Sequence, residues 1–314
     1  MDVNDQVVII VLSHNKKNDI LECLDSIFMM DYSQYEVIVV DNASTDGTVE
    51  AISSKFSSVH LIKNKQNLGA SAGRNNGWSY AESKFNYKYL LFLDDDVLIE
   101  KFFLTKLVEL FSNNKQVEIA CGKTYTNVNS NIIMSAGISV NLYTGFIYDI
   151  AAGKSDNGKY NQPRYVSACG SFGLMIRRGL FSKLDGFDER FSTYGWEDVN
   201  LCLQAKKLGY KTYYLPEARM IHKGTNLGRK PSPVYEKSKV KNFLLLIKLN
   251  ANWLQKICFT LFLPVRGLML AAKLIFNGNA KMIPEHFKGL IQGVHYLKNL
   301  QNQTDKILEK KNGT

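Results

Sequence analysis

YLLFLDDD, residues 89–96, runs five apolar residues straight into three consecutive aspartates. A short apolar run without helical spacing reads as a buried strand. Asp94, Asp95 and Asp96 then stand where that strand leaves its sheet. Working outward, the pattern recurs upstream in Val7–Leu12, Tyr35–Val40 and Val59–Ile62. Between these runs, Asn18–Met30 places Ile20, Leu21, Leu24, Ile27 and Phe28 at helical spacing. Thr48–Phe56 follows the turn residues of Asp41–Thr48, and Asn67-Leu68-Gly69 opens a further helix over Ala70–Glu82. Strand–helix alternation at this spacing predicts an α/β chain with a mostly parallel central sheet and helices on both faces. Ligands of such sheets bind beyond the carboxyl ends of the strands. Ser13, Asp41 and Asp94–Asp96 all follow strands and all fall there.

Downstream the signal weakens. Thr124–Arg164 is polar and rich in Gly, Asn and Tyr, which predicts irregular strands and a loop. Val166–Arg177 reads as a strand region interrupted by Gly170 and Gly173, Glu197–Leu208 as a helix, and Lys211–Leu215 as a strand ending before His222. Lys239–Phe276 is rich in Leu, Ile and Phe and punctuated by basic residues. Its most apolar window, Ile257–Phe276, contains Pro264, Arg266 and Lys273. A spanning helix needs about 20 mainly apolar residues, and an arginine near its middle is costly. The reading is a pair of amphipathic helices lying in the headgroup plane of a membrane; a basic helical cap on a soluble domain is the plainer alternative.

Charge supports this division. Residues 223–314 hold 16 Lys+Arg against 4 Asp+Glu, while residues 1–222 hold 23 against 25. A near-neutral body with a basic tail predicts an anionic partner for the tail, either nucleic acid or lipid headgroups. The five cysteines are scattered without a C-x-x-C pair, which argues against a disulfide framework or a zinc site and fits a reducing compartment. The apolar run at Val7 lacks a basic flank and a cleavage site, so it reads as a strand and not as a signal peptide.

Two acidic groups carry the candidate chemistry. Asp94-Asp95-Asp96 concentrates negative charge that a hard cation, Mg2+ or Mn2+, would offset. Glu197-Asp198 is a second acidic group at a predicted helix start, where carboxylates are common for dipole reasons alone.

Seven blocks occur in order: VVIIVLSHN, VIVVDNASTDGT, NLGASAGRNNG, YLLFLDDDV, GSFGLMIRRGLF, LDGFDERFSTYGWEDVNLC and GYKTYYLPEARMIH. Together they resemble the successive blocks of family 2 inverting glycosyltransferases with the GT-A (Rossmann-like) fold, in the rhamnosyltransferase-like branch. The resemblance covers about residues 5–225. It implies a catalytic domain over 1–225, with nucleotide-sugar binding in about 5–100 and the acceptor and base region in about 120–225. Residues 226–314 are then a basic helical region for membrane-surface attachment.

The resemblance also implies roles. Asp41 would accept from the base N3–H of uracil or thymine, with Ser13 and Asn15 lining the same nucleoside pocket. Arg74 would approach the base or phosphates, and Gly69 and Gly73 would let the backbone come close. Asp96 is the main metal ligand, with Asp94 near ribose or metal, and His222 is a further metal or phosphate contact. Asp95 is grouped with the nucleotide-sugar residues without a firm role. Asp198 is the base, with Glu197 the alternative or an acceptor-orienting partner. Trp196 stacks on an acceptor sugar or belongs to the core. Arg177-Arg178 reads as a solvated strand end. The expected partners are a dTDP- or UDP-sugar, a glycan or lipid-linked acceptor and an anionic membrane surface, with no nucleic acid. The expected location is the cytoplasm, peripherally on the inner face of the cell membrane. A non-catalytic membrane-surface or nucleic-acid-binding protein on a decayed transferase fold is the competing class, and a nucleotidyltransferase is a third. Intact acidic sites weigh against the former, and a nucleotidyltransferase would not require the Trp-Glu-Asp block.

Overall fold

The computed structural model describes residues 6–128, 130–191, 195–224 and 232–312. Its elements in chain order begin β1 Val7–Ser13, α1 Lys17–Phe28, β2 Tyr35–Asp41, α2 Thr48–Lys55, β3 His60–Lys63, α3 Gly69–Lys84 and β4 Tyr89–Asp94. They continue β5 Val97–Ile99, α4 Phe103–Asn113, β6 Ile119–Tyr125, β7 Ile132–Ser135, β8 Ile138–Asn141, β9 Phe146–Asp149, β10 Lys154–Ser155, β11 Arg164–Val166 and β12 Gly173–Arg177. The remainder is α5 Arg178–Lys183, α6 Glu197–Lys207, β13 Thr212–His222, α7 Pro233–Asn250, α8 Trp253–Phe276 and α9 Ile283–Asn312.

The main sheet runs β10-β7-β6-β12-β4-β1-β2-β3, and β13 pairs with β6, β5 and β11. β1 lies between β2 and β4, parallel to both. Its unbroken apolar run follows from that central place, since both of its faces are covered. Val7, Ile9 and Val11 join one core with Ile20, Cys23, Leu24 and Ile27 of α1 and Phe103, Leu104, Leu107 and Phe111 of α4. On the other face α3 comes close. A Cβ on Gly77 would fall 2.7 Å from Ile10 Cγ2, and one on Gly73 would fall 2.5 Å from Leu12 Cδ1. The glycines of the NLGASAGRNNG block therefore set how tightly this helix packs on the sheet. Beside it Phe92, Phe181 and Phe187 form an aromatic cluster with ring centroids 4.9–5.3 Å apart.

The central sheet is thus mixed and mostly parallel, as the alternation predicts. One feature differs from the sequence reading, and the irregular stretch takes definite form. The strand predicted to end at Leu215 continues to His222, because the register with β6 shifts between Leu215 and Arg219. Pro216 lies inside that irregularity, where a missing N–H leaves no ladder bond unmet. The Thr124–Arg164 stretch resolves into the end of β6 and the short strands β7–β10, with the two-stranded β8–β9 pair standing apart from the main sheet.

The chain divides into two compact units. The larger carries the main sheet. The smaller comprises α7, α8 and α9 with residues 141–146 and 195–196. Within it, Gly289 and Gly293 of α9 lie against Val240, Lys241 and Leu244 of α7, so the two backbones approach closely. α8 opens with a capping box between Asn252 and Gln255. It is the one helix among the described residues long and apolar enough, by length and composition, to cross a membrane. Leu254, Ile257, Leu261, Val265, Leu268 and Ile275 are exposed, and their spacing puts them on one face. Arg266 lies outside that stripe, with its guanidinium 4.1 Å from the Phe243 ring centroid.

Candidate active site

Strand register assembles the site. Ser13 pairs with Asp41, and Leu12 pairs with Asp94, so β1, β2 and β4 end along one line. β13 runs antiparallel to β5 with His222 opposite Val97, which returns the imidazole to the end of the triplet. β12 is antiparallel to β4, with Gly173 opposite Leu93. The loop before β12 therefore starts beside the same strand end, and the Phe172 ring packs 4.8 Å from that of His222.

The three aspartates point in different directions. Asp95 turns toward β1, accepting from Ser13 Oγ at 3.0 Å and His14 N at 3.2 Å. Burial pushes its pKa up to about 7, against the charge of Lys16. Asp94 and Asp96 face His222, and one ligand atom from each of the three lies within 4.8 Å of the others. His222 Nε2 is 2.9 Å from Asp96 Oδ1 and 3.9 Å from Asp94 Oδ2. Burial opposes the charge on Asp96, but His222 and Lys16 overcome it and hold this carboxyl well below the usual range. Burial likewise lowers His222, yet Asp96 and Asp94 raise it overall. Two carboxylates and an imidazole are a donor set that suits Mn2+ and, through the oxygens, Mg2+. Gly224 lets the chain pass this point, since a Cβ there would collide with the Asp96 carboxylate.

Arg74, on α3, is buried between the two acidic groups. It donates from Nη2 to Asp94 Oδ1 at 2.5 Å and from Nη1 to Glu197 Oε1 at 3.2 Å. Asp198 accepts from Ser171 N at 3.2 Å and from Val199 N at 2.7 Å. Desolvation around its carboxylate and the neighbouring charge of Glu197 push its pKa up to about 7, against those two N–H groups. Glu197 is also raised, chiefly by burial and despite Arg74.

The other residues singled out in the sequence have clear partners. Asn15 braces two loops, with its N–H on Ser44 Oγ at 2.9 Å and its Oδ1 accepting from Thr45 N at 2.7 Å. Asp41 Oδ2 accepts from Ser44 N at 3.0 Å, while its Oδ1 is buried without a partner. Ser71 Oγ and Glu197 Oε2 are also buried and unpartnered. Gly69 starts α3 at φ 81°, and its carbonyl accepts from Asn42 Nδ2 at 3.1 Å. Trp196 packs within the helical unit, donating from Nε1 to Lys239 O at 3.0 Å beside Phe243. Its backbone is left-handed at φ 78°, directly before Glu197. Arg177 lies at the other end of β12, on the carbonyls of Phe111 and Val117, and Arg178 pairs with Glu82.

Lys16 was not legible as a site residue. Its ammonium holds Asp96 Oδ2 and lies 3.9 Å from Asp95 Oδ1. The available signal was a base placed immediately after Ser13-His14-Asn15, at the end of the central strand.

Comparison with known proteins bears on the family and the fold. The model of Glycosyl transferase family 2 matches residues 8–184. The chain is 27% identical over 230 residues to Glycosyltransferase GlyA of Streptococcus pneumoniae serotype 4, covering 72% of this chain but only 32% of that protein. It is 22% identical over 269 residues to the N-acetylglucosaminyl-diphospho-decaprenol L-rhamnosyltransferase of Mycobacterium tuberculosis, covering 80% of this chain and 87% of that one. Among solved structures, the mannosyltransferase PcManGT from Pyrobaculum calidifontis, in complex with GDP-Man and Mn2+, superposes with a TM-score of 0.59. That match has 15% identity over 93% of this chain and 88% of the other, and shows the shared fold.

Proposed function

Because the chain belongs to glycosyl transferase family 2, we propose that it transfers a sugar, with inversion, from a dTDP- or UDP-linked donor to a hydroxyl of a glycan or lipid-linked acceptor in cell-surface polysaccharide synthesis. The observation that carries this reading is the Arg74 bridge, which joins the Asp94–Asp96 group and the Glu197–Asp198 group into one site. The unpartnered Asp41 Oδ1 supports a nucleoside pocket at the end of β2. A buried acceptor atom left unmet costs free energy that a base N–H would recover. A rhamnosyltransferase among the relatives favours rhamnose as the sugar.

Asp94, Asp96 and His222 would hold Mg2+ or Mn2+, which supplies countercharge for a departing diphosphate. The chain's own residues supply the remaining chemistry. Inversion requires the acceptor hydroxyl to attack from the face opposite the leaving group, and a carboxylate to take its proton as the new bond forms. Asp198 fills that role, because a base whose pKa lies near neutrality is matched to the task. Glu197 is held by Arg74 and orients the site.

We assign the basic helical unit to the inner face of the cell membrane, peripherally attached, with the exposed α8 stripe as the apolar contact. Its Lys and Arg residues would meet anionic headgroups.

A thermal-shift panel of nucleotide sugars with Mg2+ and Mn2+ tests the core of this reading. A dTDP- or UDP-sugar at a hundredfold excess over its Kd should stabilise the protein by about 2.7 kcal/mol. Failure of every nucleotide sugar to shift the melt would remove the donor assignment.

A further inference from the structure

We propose that Lys16 is an internal counter-ion that competes with the divalent cation for Asp96, and that it moves to the donor diphosphate when the cation binds. This rests on the cation and donor reading above.

Asp96 has two oxygens and both are engaged. Oδ1 faces His222 Nε2 at 2.9 Å, and Oδ2 is held by the Lys16 ammonium. A cation shared by Asp94, Asp96 and His222 needs access to the same carboxylate. His222 is itself a donor of that set and is buried in the β13–β5 register against Phe172. Lys16 is the partner that can yield. It stands in the turn between β1 and α1, its side chain is 36% exposed, and its stem is flexible.

The destination follows from the loop. Lys16 follows Ser13, whose strand partner is Asp41, so its turn borders the end of the sheet assigned to the nucleoside. Its ammonium faces both Asp96 and Asp95. Once a divalent cation neutralises those carboxylates, the incoming diphosphate offers this ammonium a strong alternative partner. Lys16 therefore opposes cation binding to the free protein and supports donor binding to the loaded one. A purely structural surface lysine would do neither.

The test uses the full chain and two separate binding measurements. Free Mn2+ is followed by electron paramagnetic resonance without nucleotide, for wild type, Lys16→Gln, Lys17→Gln and Asp96→Asn. Losing one charge-assisted bond to Asp96 should make Lys16→Gln bind Mn2+ about tenfold more tightly, with Lys17→Gln as the control for charge alone. UDP and dTDP are then titrated calorimetrically at saturating Mn2+, where Lys16→Gln should bind whichever nucleotide the wild type prefers about tenfold more weakly. Mn2+ affinity in Lys16→Gln no tighter than in Lys17→Gln, or unchanged nucleotide affinity, overturns the proposal while leaving the cation site standing. Wild-type Mn2+ affinity in Asp96→Asn overturns the cation site and this proposal together.

Discussion

Arg74 holds Asp94 and Glu197 with two different nitrogens of one guanidinium, and its side chain is only 4% exposed. Removing one partner of a buried ionic group leaves uncompensated charge, which typically costs more than the pair contributes. Arg74→Ala should therefore lose about 3 kcal/mol of stability in urea unfolding, together with all turnover. Arg74→Lys keeps the charge but not the fork. It should unfold closer to wild type yet fall at least about tenfold in activity, because one ammonium does not reproduce both contacts. A fully active Arg74→Lys variant would argue against the bridge as an organiser of the site.

Asp198→Asn should lower transfer by about two to four orders of magnitude, the usual contribution of a positioned base. UDP or dTDP affinity should stay within about twofold of wild type, since no donor contact is assigned to this residue. Titration calorimetry beside a turnover assay checks both halves.

The same residue sets a pH dependence. A base works deprotonated, so wild-type activity should rise through about pH 7, the pKa of Asp198. Stability runs the other way. The native state holds this proton where the unfolded chain has lost it, so the contribution is full below the ordinary carboxylate pKa and is lost as pH rises through about 7. Asp198→Asn should accordingly melt above wild type at pH 8, with the gap closing toward pH 4. A constant difference across that range would contradict the raised pKa.

Trp196 carries backbone strain directly before the acidic pair and is anchored through Lys239 O and Phe243. Strain of this kind persists only where surroundings enforce it. Trp196→Ala and Trp196→Gly both lose the anchor, but only glycine also removes the φ penalty. Both should lose about tenfold in kcat with unchanged nucleotide binding, consistent with a loosened Glu197–Asp198 turn. Recovery in the glycine variant alone would mean that strain, and not the anchor, limits the site.

Leu261→Glu and Leu268→Glu place charge in the exposed α8 stripe. Each should reduce co-sedimentation with vesicles containing anionic lipid by about tenfold, while the melting temperature stays near that of wild type. Wild-type protein that pellets equally with neutral vesicles would contradict the electrostatic half of the attachment.

Much of this was legible in the sequence because single strands announce themselves. Tyr89–Leu93 and Val7–Leu12 are apolar on every residue, which only a doubly covered strand requires, and their polar ends mark the site. Pairing was not legible. Nothing in Gly173–Arg177 indicates that it lies antiparallel between β4 and β6, since register depends on partners distant in the chain. The strand read over Lys211–Leu215 stops short of Pro216, a residue type that ladders normally exclude, whereas β13 carries on through a register shift. β7, β9 and β10 are two to four residues long, and β9 and β10 are largely exposed, so no alternation of period two could build up. Lys16 carries no such signal, because a lysine in a turn is ordinarily solvated and only the fold brings Asp96 to it.

Asp94, Asp95 and Asp96 have cations of the chain's own beside them, in Arg74 and Lys16. That has a consequence for maturation. Where an acidic cluster relies on a metal ion for charge balance, ion binding and folding are coupled. Here Arg74 and Lys16 already offset part of that charge, so the chain should fold in the presence of a chelator. On the reading proposed above, metal supply would then act on turnover more than on folding.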